Sequence, residues 1–254
     1  MIFDALPDAT AWIAALCVGL LAGLIKGVVG FALPVIIVSG LGTFLSPELA
    51  LAGVILPALF TNIWQGLRQG FREAWASLWK FRVLVAVGLV VIVLSAQLVP
   101  VLPQNALYVA IGVPIVLFAA TSLAGWVPRL NKRGTLAEVI TGLVGGIFGG
   151  LSGMFGPPLI LFLTAIDTPK TEQVRVTGVI FIAGSLVYII AHFLSGILTT
   201  STAVFSAVVA VPAMIGLAVG FLLQDRIDQA TFRRITLIIL LISGLNLIRR
   251  GVMG

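Results

Sequence analysis

The chain has few charged residues and a single cysteine. Of its 254 residues only 9% are charged and 60% are hydrophobic, whereas about a quarter of the residues in soluble domains are charged. A soluble fold of this length would need roughly 60 charged residues, but the chain has 15 basic and 9 acidic ones. This scarcity excludes a soluble enzyme, a nucleic-acid-binding protein and a disordered chain. It predicts a membrane protein.

The lone cysteine, Cys17, cannot form an internal disulfide, and no metal-ligand spacing occurs, so neither a metal nor another cofactor is expected. The first ten residues contain Asp4 and Asp8 but no basic residue, so they lack the basic segment that begins a signal peptide. We therefore expect the first apolar run to remain in the protein.

The polar clusters divide the chain into apolar runs that can be compared with the roughly 20 residues of a spanning helix. Two runs, Ala9–Leu45 and Leu136–Ile166, are too long for one crossing and contain glycine clusters followed by proline. Each is predicted to form two helical pieces. Six other runs each predict one helix: Leu49–Leu67, Val83–Val99, Ala106–Gly125, Val176–Ser195, Thr199–Leu223 and Ile235–Ile248.

The two long runs also resemble each other at a constant offset in sequence, which indicates an internal repeat. The matching positions are Gly19, Gly23, Gly27, Gly30 and Pro34 in the first run and Gly142, Gly146, Gly150, Gly153 and Pro157 in the second. The helices that follow align through Gly53 and Gly178 with a slip of two residues. We predict two similar halves, residues 1–128 and 129–254, that together form one membrane domain.

The positions of the basic residues favour one topology. If each long run crosses once, nine basic residues lie inside and five outside. If each run is a hairpin that returns to its own side, the clusters at 68–82, 129–133, 170–175 and 226–234 all lie inside, which gives twelve against two. The second arrangement makes the halves inverted and puts the N-terminus outside.

The hairpin pieces are predicted to be short. Ala11–Ile25 has 15 residues and Phe155–Ile166 has 12, so they reach roughly 18 to 23 Å into an apolar core of about 30 Å. The predicted fold is an all-α polytopic membrane protein of two inverted repeats. Each repeat contains a re-entrant or broken helical hairpin followed by three transmembrane helices.

Broken helices paired in an inverted repeat predict a transporter site, because the start of a half-helix carries unpaired N–H groups that bind anions. The predicted tips lie near residues 26–30 and 149–153, and they provide the binding candidates Gly30, Phe31, Ser152, Gly153, Met154 and Phe155. For the glycines spaced four residues apart, such as Gly19 and Gly142, we expect close helix packing instead.

Five polar side chains complete the predicted site: Lys26, Asn62, Gln65, Arg175 and Ser185. Lys26 is the only charged residue between Asp8 and Glu48 and is a functional candidate by its position, although it could also extend toward the membrane surface. Arg175 could bind an oxyanion through two hydrogen bonds, or it could simply keep its loop on the cytoplasmic side of the membrane. The other three could line a polar path or bond neighbouring helices.

No carboxylate lies at the centre of an apolar run. Glu138, in the first turn of a half-helix, is the nearest, so a buried carboxylate proton relay is not evident. The only histidine, His192, could titrate or simply bond a neighbour. With Ser152 in the sequence Gly-Leu-Ser-Gly, it permits the less favoured alternative of an intramembrane serine protease of the rhomboid type.

The chain resembles the TauE/SafE family of membrane permeases, the sulfite exporter and organosulfonate transporter group. The resemblance lies in GLIKGVVGFALP at Gly23–Pro34, in the stretch Pro57–Asn62, and in GGIFGGLSGMFGPP at Gly145–Pro158. It covers essentially the whole chain and implies transport of a sulfur-containing anion such as sulfite or sulfoacetate, not an enzymatic activity. Ala32 departs from the pattern, because similar proteins often have glycine there.

The combined expectation is a secondary transporter of the bacterial cytoplasmic (inner) membrane that works by alternating access. A passive anion channel is the alternative. The expected partners are a small anionic substrate and the lipid bilayer, with no nucleic acid. The identity of the anion, the direction of transport, the coupling ion (a proton or another ion) and the choice between monomer and homodimer stay open.

Overall fold

A computed structural model describes residues 9–96, 104–126, 134–152, 155–194 and 196–253. Every element of that part of the chain is an α-helix. The helices are α1 (Ala9–Val29), α2 (Leu33–Leu41), α3 (Pro47–Leu67), α4 (Phe71–Lys80), α5 (Arg82–Ala96), α6 (Gln104–Leu123), α7 (Thr135–Ser152), α8 (Gly156–Ala165), α9 (Lys170–Leu194), α10 (Thr200–Arg226) and α11 (Gln229–Met253).

Five of the described helices are long and apolar enough to cross a membrane: α1, α3, α9, α10 and α11. A sixth crossing results if α4 and α5, which meet at a bend of 76°, are counted as one broken span. The protein is therefore a multi-pass integral membrane protein. The all-helical fold class predicted from the sequence is confirmed.

Each of the six single helices predicted from the apolar runs is present, as α3, α5, α6, α9, α10 and α11. The two long runs are each broken in two, as predicted, into α1 with α2 and α7 with α8. The basic cluster at 129–133, Asp4 and Asp8, and the predicted helix ends at Val99 and Ser195 lie outside the described residues.

The predicted length of the first hairpin piece is wrong. Helix α1 has 21 residues, not 15, and is long enough to cross the bilayer. Gly19, Gly23 and Gly27 do not interrupt it, because each faces the backbone of α10 and packing offsets the low helix propensity of glycine. The helix ends only before Gly30, whose φ of 88° is left-handed. Lys26 thus lies inside α1, one turn before the break.

The chain forms two compact units, and neither coincides with a sequence half. The first unit contains residues 1–74 and 174–228, and the second contains residues 75–173 and 229–254. The first unit therefore holds α1, α2, α3, α10 and most of α9, whereas the second holds α5 to α8, α11 and most of α4. The division into repeats at residue 128 and the inverted topology stay predictions.

In the first unit α1 packs against α10 along the glycines spaced four apart. A Cβ atom added to Gly23 would lie 1.9 Å from the carbonyl oxygen of Ala213, and one added to Gly27 would lie 2.5 Å from that of Leu217. The two backbones are therefore in direct contact. The packing role predicted for these glycines is confirmed.

In the second unit α7 packs against α5 by the same device. A Cβ atom on Gly142 would lie 3.0 Å from the carbonyl oxygen of Leu84, and one on Gly146 would lie 2.9 Å from that of Gly88. Small residues allow such close contact, which supplies the dispersion energy that holds helices together in lipid.

We expect Gly23→Ala to weaken the first unit, because its methyl group has to push α1 away from Ala213. Overpacking of this kind costs about 1 to 3 kcal/mol, which corresponds to a loss of about 3 to 10 °C in the melting temperature of the detergent-purified protein. Gly184→Ala is the matched control, since a Cβ atom there meets nothing within 4 Å. A melting temperature for Gly23→Ala equal to that of Gly184→Ala would contradict the packing role.

Candidate functional site

The break between α1 and α2 leaves backbone N–H groups without helical hydrogen-bond partners inside the first unit. The N–H of Gly30 still donates to the carbonyl oxygen of Lys26 at 2.6 Å. The next three N–H groups, of Phe31, Ala32 and Leu33, have no hydrogen-bond partner among the described residues, although all three residues are buried. Buried N–H groups are rarely left unpaired, and successive ones form concave sites for anions. The break therefore leaves three successive buried N–H donors without an acceptor in the described part of the chain.

Helix α2 adds to this field, because its first turn follows the break directly. Its N-cap residue is Ala32, which has no side-chain acceptor to cap the helix, and Pro34 in the first turn has no N–H. The positive end of the helix dipole is thus left without a protein anion in its first turn. A bound anion would fill the place that a capping side chain normally takes.

Ala32 adopts a left-handed conformation, with φ 76° and ψ −12°. Such a backbone is easy for glycine but costs an alanine roughly 1 to 2 kcal/mol. A glycine, which the sequence resemblance predicts at this position, would adopt the same backbone without that cost. The substitution preserves the break and adds strain to it.

Lys26 places a positive charge close to the break. Its side chain is buried, with 2% of the residue exposed. Its Nζ donates to Oδ1 of Asn62. That amide oxygen is its only partner among the described residues, where no carboxylate pairs with it. Because an ammonium has three N–H groups, two are left for another acceptor.

Asn62 is held in one orientation by α9. Its Nδ2 donates to Oγ of Ser185 at 2.7 Å and to the carbonyl oxygen of Phe181 at 3.1 Å. The hydroxyl of Ser185 in turn donates to the Phe181 carbonyl at 2.9 Å, so its oxygen is free to accept from Asn62. The amide therefore presents its oxygen to Lys26 and has no N–H left for a substrate.

Gln65 holds the backbone of the break. Its Nε2 donates to the carbonyl oxygens of Gly30 at 3.0 Å and Val174 at 2.7 Å. Its Oε1 is buried and has no partner among the described residues. Asn62 and Gln65 are three residues apart, so both face the same side of α3. One face of α3 thus fixes both the lysine and the break.

These contacts divide the predicted site residues by what they can do. Lys26, Gly30, Phe31, Asn62, Gln65 and Ser185 come together in the first unit. Only Lys26 and the backbone of the break keep N–H groups for an anion. The two amides and the serine position those groups.

Arg175 is engaged in ionic and polar contacts of its own. Its guanidinium donates to Oε1 of Gln69, and its Nη1 lies 4.0 Å from a carboxylate oxygen of Glu73. These contacts make Arg175 part of a charge network near the end of α3 and the start of α4. Its predicted part in binding stays a prediction.

The second predicted tip belongs to the second unit. Gly153, Met154 and the side chain of Ser152 lie outside the described residues. Phe155 is buried directly before α8, and its ring would lie 2.9 Å from a Cβ atom on Gly88 and 3.0 Å from one on Gly145. Phe155 therefore packs between α5 and α7, whereas its predicted contact with substrate stays a prediction.

Sequence reasoning missed three features of these units. The carbonyl groups of Val174 and Phe181 are acceptors in the site, but every residue has a carbonyl and no pattern distinguishes them. The left-handed backbone at Ala32 had a weak signal in the departure from glycine. Glu138 is buried, with 2% exposed, although its place in the first turn of a half-helix does not predict a buried carboxylate.

His192 makes local contacts. Its Nδ1 lies 2.9 Å from the carbonyl oxygen of Tyr188, one turn earlier in α9, and the two rings are 3.9 Å apart between centroids. His192 belongs to the first unit and Ser152 to the second.

We expect Ala32→Gly to stabilise the protein, because it removes the cost of a left-handed alanine. After the greater chain entropy of an unfolded glycine is subtracted, the gain is about 0.5 to 1 kcal/mol, or about 1 to 4 °C in melting temperature. The same substitution at Ala76, exposed on α4, should lower the melting temperature, since glycine weakens a regular helix. A decrease at both positions would contradict the left-handed assignment.

Comparisons with known proteins agree with this architecture. Residues 15–247 match the family described as sulfite exporter TauE/SafE, which covers nearly the whole chain. Neither a curated protein nor a solved structure matches significantly. The matching family consists of membrane transporters for small sulfur-containing anions, so the enzyme alternative is wrong. The chain belongs to the TauE/SafE sulfite exporter family.

Proposed function

We propose that the protein carries sulfite or an organosulfonate such as sulfoacetate across the bacterial cytoplasmic membrane by alternating access. The observation that carries this proposal is the buried ammonium of Lys26, which is held by an amide and not by a carboxylate, within the same side-chain cluster as the α1–α2 break. A positive group in such a place is stabilised by an anion that binds beside it.

The available hydrogen bonds suit an oxyanion. Two N–H groups of Lys26 and the N–H groups of Phe31, Ala32 and Leu33 are donors without partners among the described residues. Sulfite and the sulfonate group each present three oxygen atoms that accept hydrogen bonds. Charge-assisted bonds from several donors select such a group over a neutral solute. The choice of a sulfur-containing anion rests on the family match. The choice of an anion as such rests on the positive charge and the N–H donors of the site.

The second tip is proposed to take part in anion binding, as the first tip is. The match of Gly30 with Gly153 and of Pro34 with Pro157 supports this assignment, as does the start of α8, which like α2 has no side-chain cap. In this proposal Gly153 and Met154 are the binding candidates of the second repeat, as the sequence match assigns them. Alternating access then requires that the bound anion be exposed to each face of the membrane in turn.

Lys26→Gln should abolish most of the transport. It removes the charge but keeps a polar side chain, and loss of a hydrogen bond to a charged group costs about 1.5 to 3 kcal/mol, which is roughly 10- to 100-fold in apparent affinity. The measurement is uptake of radiolabelled sulfite into proteoliposomes preloaded with unlabelled sulfite. Lys170→Gln, at the start of α9, is the control and should transport normally. Equal uptake by both variants would refute the Lys26 site.

The same vesicles separate a carrier from the alternative of a passive channel. A carrier exchanges labelled for unlabelled anion faster when substrate is present on the far side, whereas a pore shows equal one-way flux in both cases. The matching glycines of the two halves favour the carrier, because inverted repeats are typical of secondary transporters.

Asn62→Asp should block anion binding, and its melting temperature without sulfite also reports the cost of losing the N–H groups that Phe181 and Ser185 accept. The new carboxylate has nearly the same shape and lies against Lys26, so it neutralises the ammonium and repels an incoming anion. We expect sulfite to raise the melting temperature of the wild type and to leave that of Asn62→Asp unchanged. Asn246→Asp is the control, since its Oδ1 contacts Arg249 in α11. A normal sulfite response in Asn62→Asp would show that Lys26 is not the counter-charge.

A further inference from the structure

The charge of Lys26 has no partner of opposite sign in the helices around it. Of the helices packed against α1, α2 contains no ionisable residue. Helix α3 has Glu48 in its first turn, 14 positions before Asn62 and thus about 21 Å away along the axis. Helix α3 ends with Arg68 as its C-cap, which is itself positive. Neither helix offers a carboxylate at the depth of Lys26.

Helices α10 and α9 also place no available carboxylate beside Lys26. The last turn of α10 carries Asp225 and Arg226, but Asp225 is half-exposed and ion-paired with Arg68. Helix α9, which reaches the site through Asn62 and Gln65, has Glu172 in its first turn, where it is ion-paired with Lys80. The other ionisable residues of α9, Lys170, Arg175, Tyr188 and His192, are not acids that could neutralise an ammonium at neutral pH. Within the described part of this unit, Lys26 has no counter-charge until an anion binds.

The missing counter-charge of Lys26 affects one step of the transport cycle. In this step the carrier, after releasing the anion, returns empty to the side of uptake. With an anion bound, the pair of charges is neutral. Without the anion, a charged Lys26 would be an isolated ion surrounded by apolar helices, which is strongly unfavourable. A lysine can avoid this cost by releasing its proton, whereas an arginine cannot.

The contacts of Asn62 permit such a release. Because both N–H groups of Nδ2 are directed at Ser185 and Phe181, only the amide oxygen faces Lys26. An ammonium and a neutral amine can each donate one N–H to that oxygen. The amide oxygen of Asn62 therefore keeps its hydrogen bond from Nζ in both protonation states of the lysine.

We propose that Lys26 is the binding site of the coupling proton, and that one proton crosses the membrane with each anion. The inference rests on the proposed function. On the side of uptake, the neutral amine, a proton and the anion form an ammonium–anion pair. On the side of release, the anion and the proton leave together and the amine returns neutral. A monovalent anion then moves without net charge.

The test uses proteoliposomes at mildly acidic pH, where hydrogen sulfite is the main species, with the membrane potential clamped by potassium and valinomycin. Protein-free vesicles give the leak that is subtracted. If a single negative charge moved uncompensated, a clamp of about 60 mV would maintain a tenfold concentration ratio of sulfite. For the wild type we expect the ratio to stay near one at every clamp voltage and to follow an imposed pH difference instead.

Lys26→Arg separates proton coupling from anion binding. It keeps a positive charge that cannot be released, so we expect exchange of labelled for unlabelled sulfite to continue while net sulfite flux falls at least tenfold. Lys170→Arg is the control and should retain both activities. Should Lys26→Arg fail to fold, the voltage response of the wild type still decides whether the anion moves with or without a compensating charge.

Different results overturn different claims. A tenfold sulfite ratio under the 60 mV clamp, or normal net flux in Lys26→Arg, would overturn proton coupling through Lys26 and leave the anion carrier intact. Sulfite flux no greater than that of protein-free vesicles, in both the net and the exchange assay, would overturn the proposed function and the inference with it.

Discussion

A buried lysine with no carboxylate partner in the described part of the chain is the constraint on which the rest of the first unit depends. Lys26 could not remain among apolar helices without polar partners, and the unit supplies them with a single face of α3. Asn62 accepts from the lysine, and Gln65 binds the carbonyl of Gly30 one turn farther along the same helix face. The lysine and the break are therefore held by the same helix. A displacement of α3 would move the partners of both.

Glycine has two different functions in this chain, and the distinction decides where the helices break. At Gly23 and Gly27 the absence of a side chain lets α1 touch the backbone of α10, and the helix continues. At Gly30 the φ of 88° ends the helix. Glycine thus stabilises a helix–helix contact at one place and ends the helix at another. Glycine content alone therefore does not locate a break.

This explains how far the sequence could lead. The all-helical membrane fold and the two broken runs followed from hydropathy and length, and Lys26, Asn62 and Gln65 stood out because polar residues are rare in such runs. The pairing of Lys26 with Asn62 joins positions 36 residues apart, and no local pattern encodes it. The length of α1 was misjudged because packing against α10 offsets a weak propensity that the sequence shows in isolation.

The contacts of the site also limit how it can open. The amide N–H groups of Asn62 and Gln65 are all directed at protein acceptors, so neither can turn toward a substrate without leaving a buried carbonyl or hydroxyl unpaired. Backbone contact between α1 and α10 is equally unsuited to sliding, since a small shift brings Gly23 against a carbonyl oxygen. A conformational change that exposes the anion therefore preserves α1, α3 and α10 as one body. In the proposed transport cycle the change therefore occurs outside this group, at connections between helices that these hydrogen bonds do not hold.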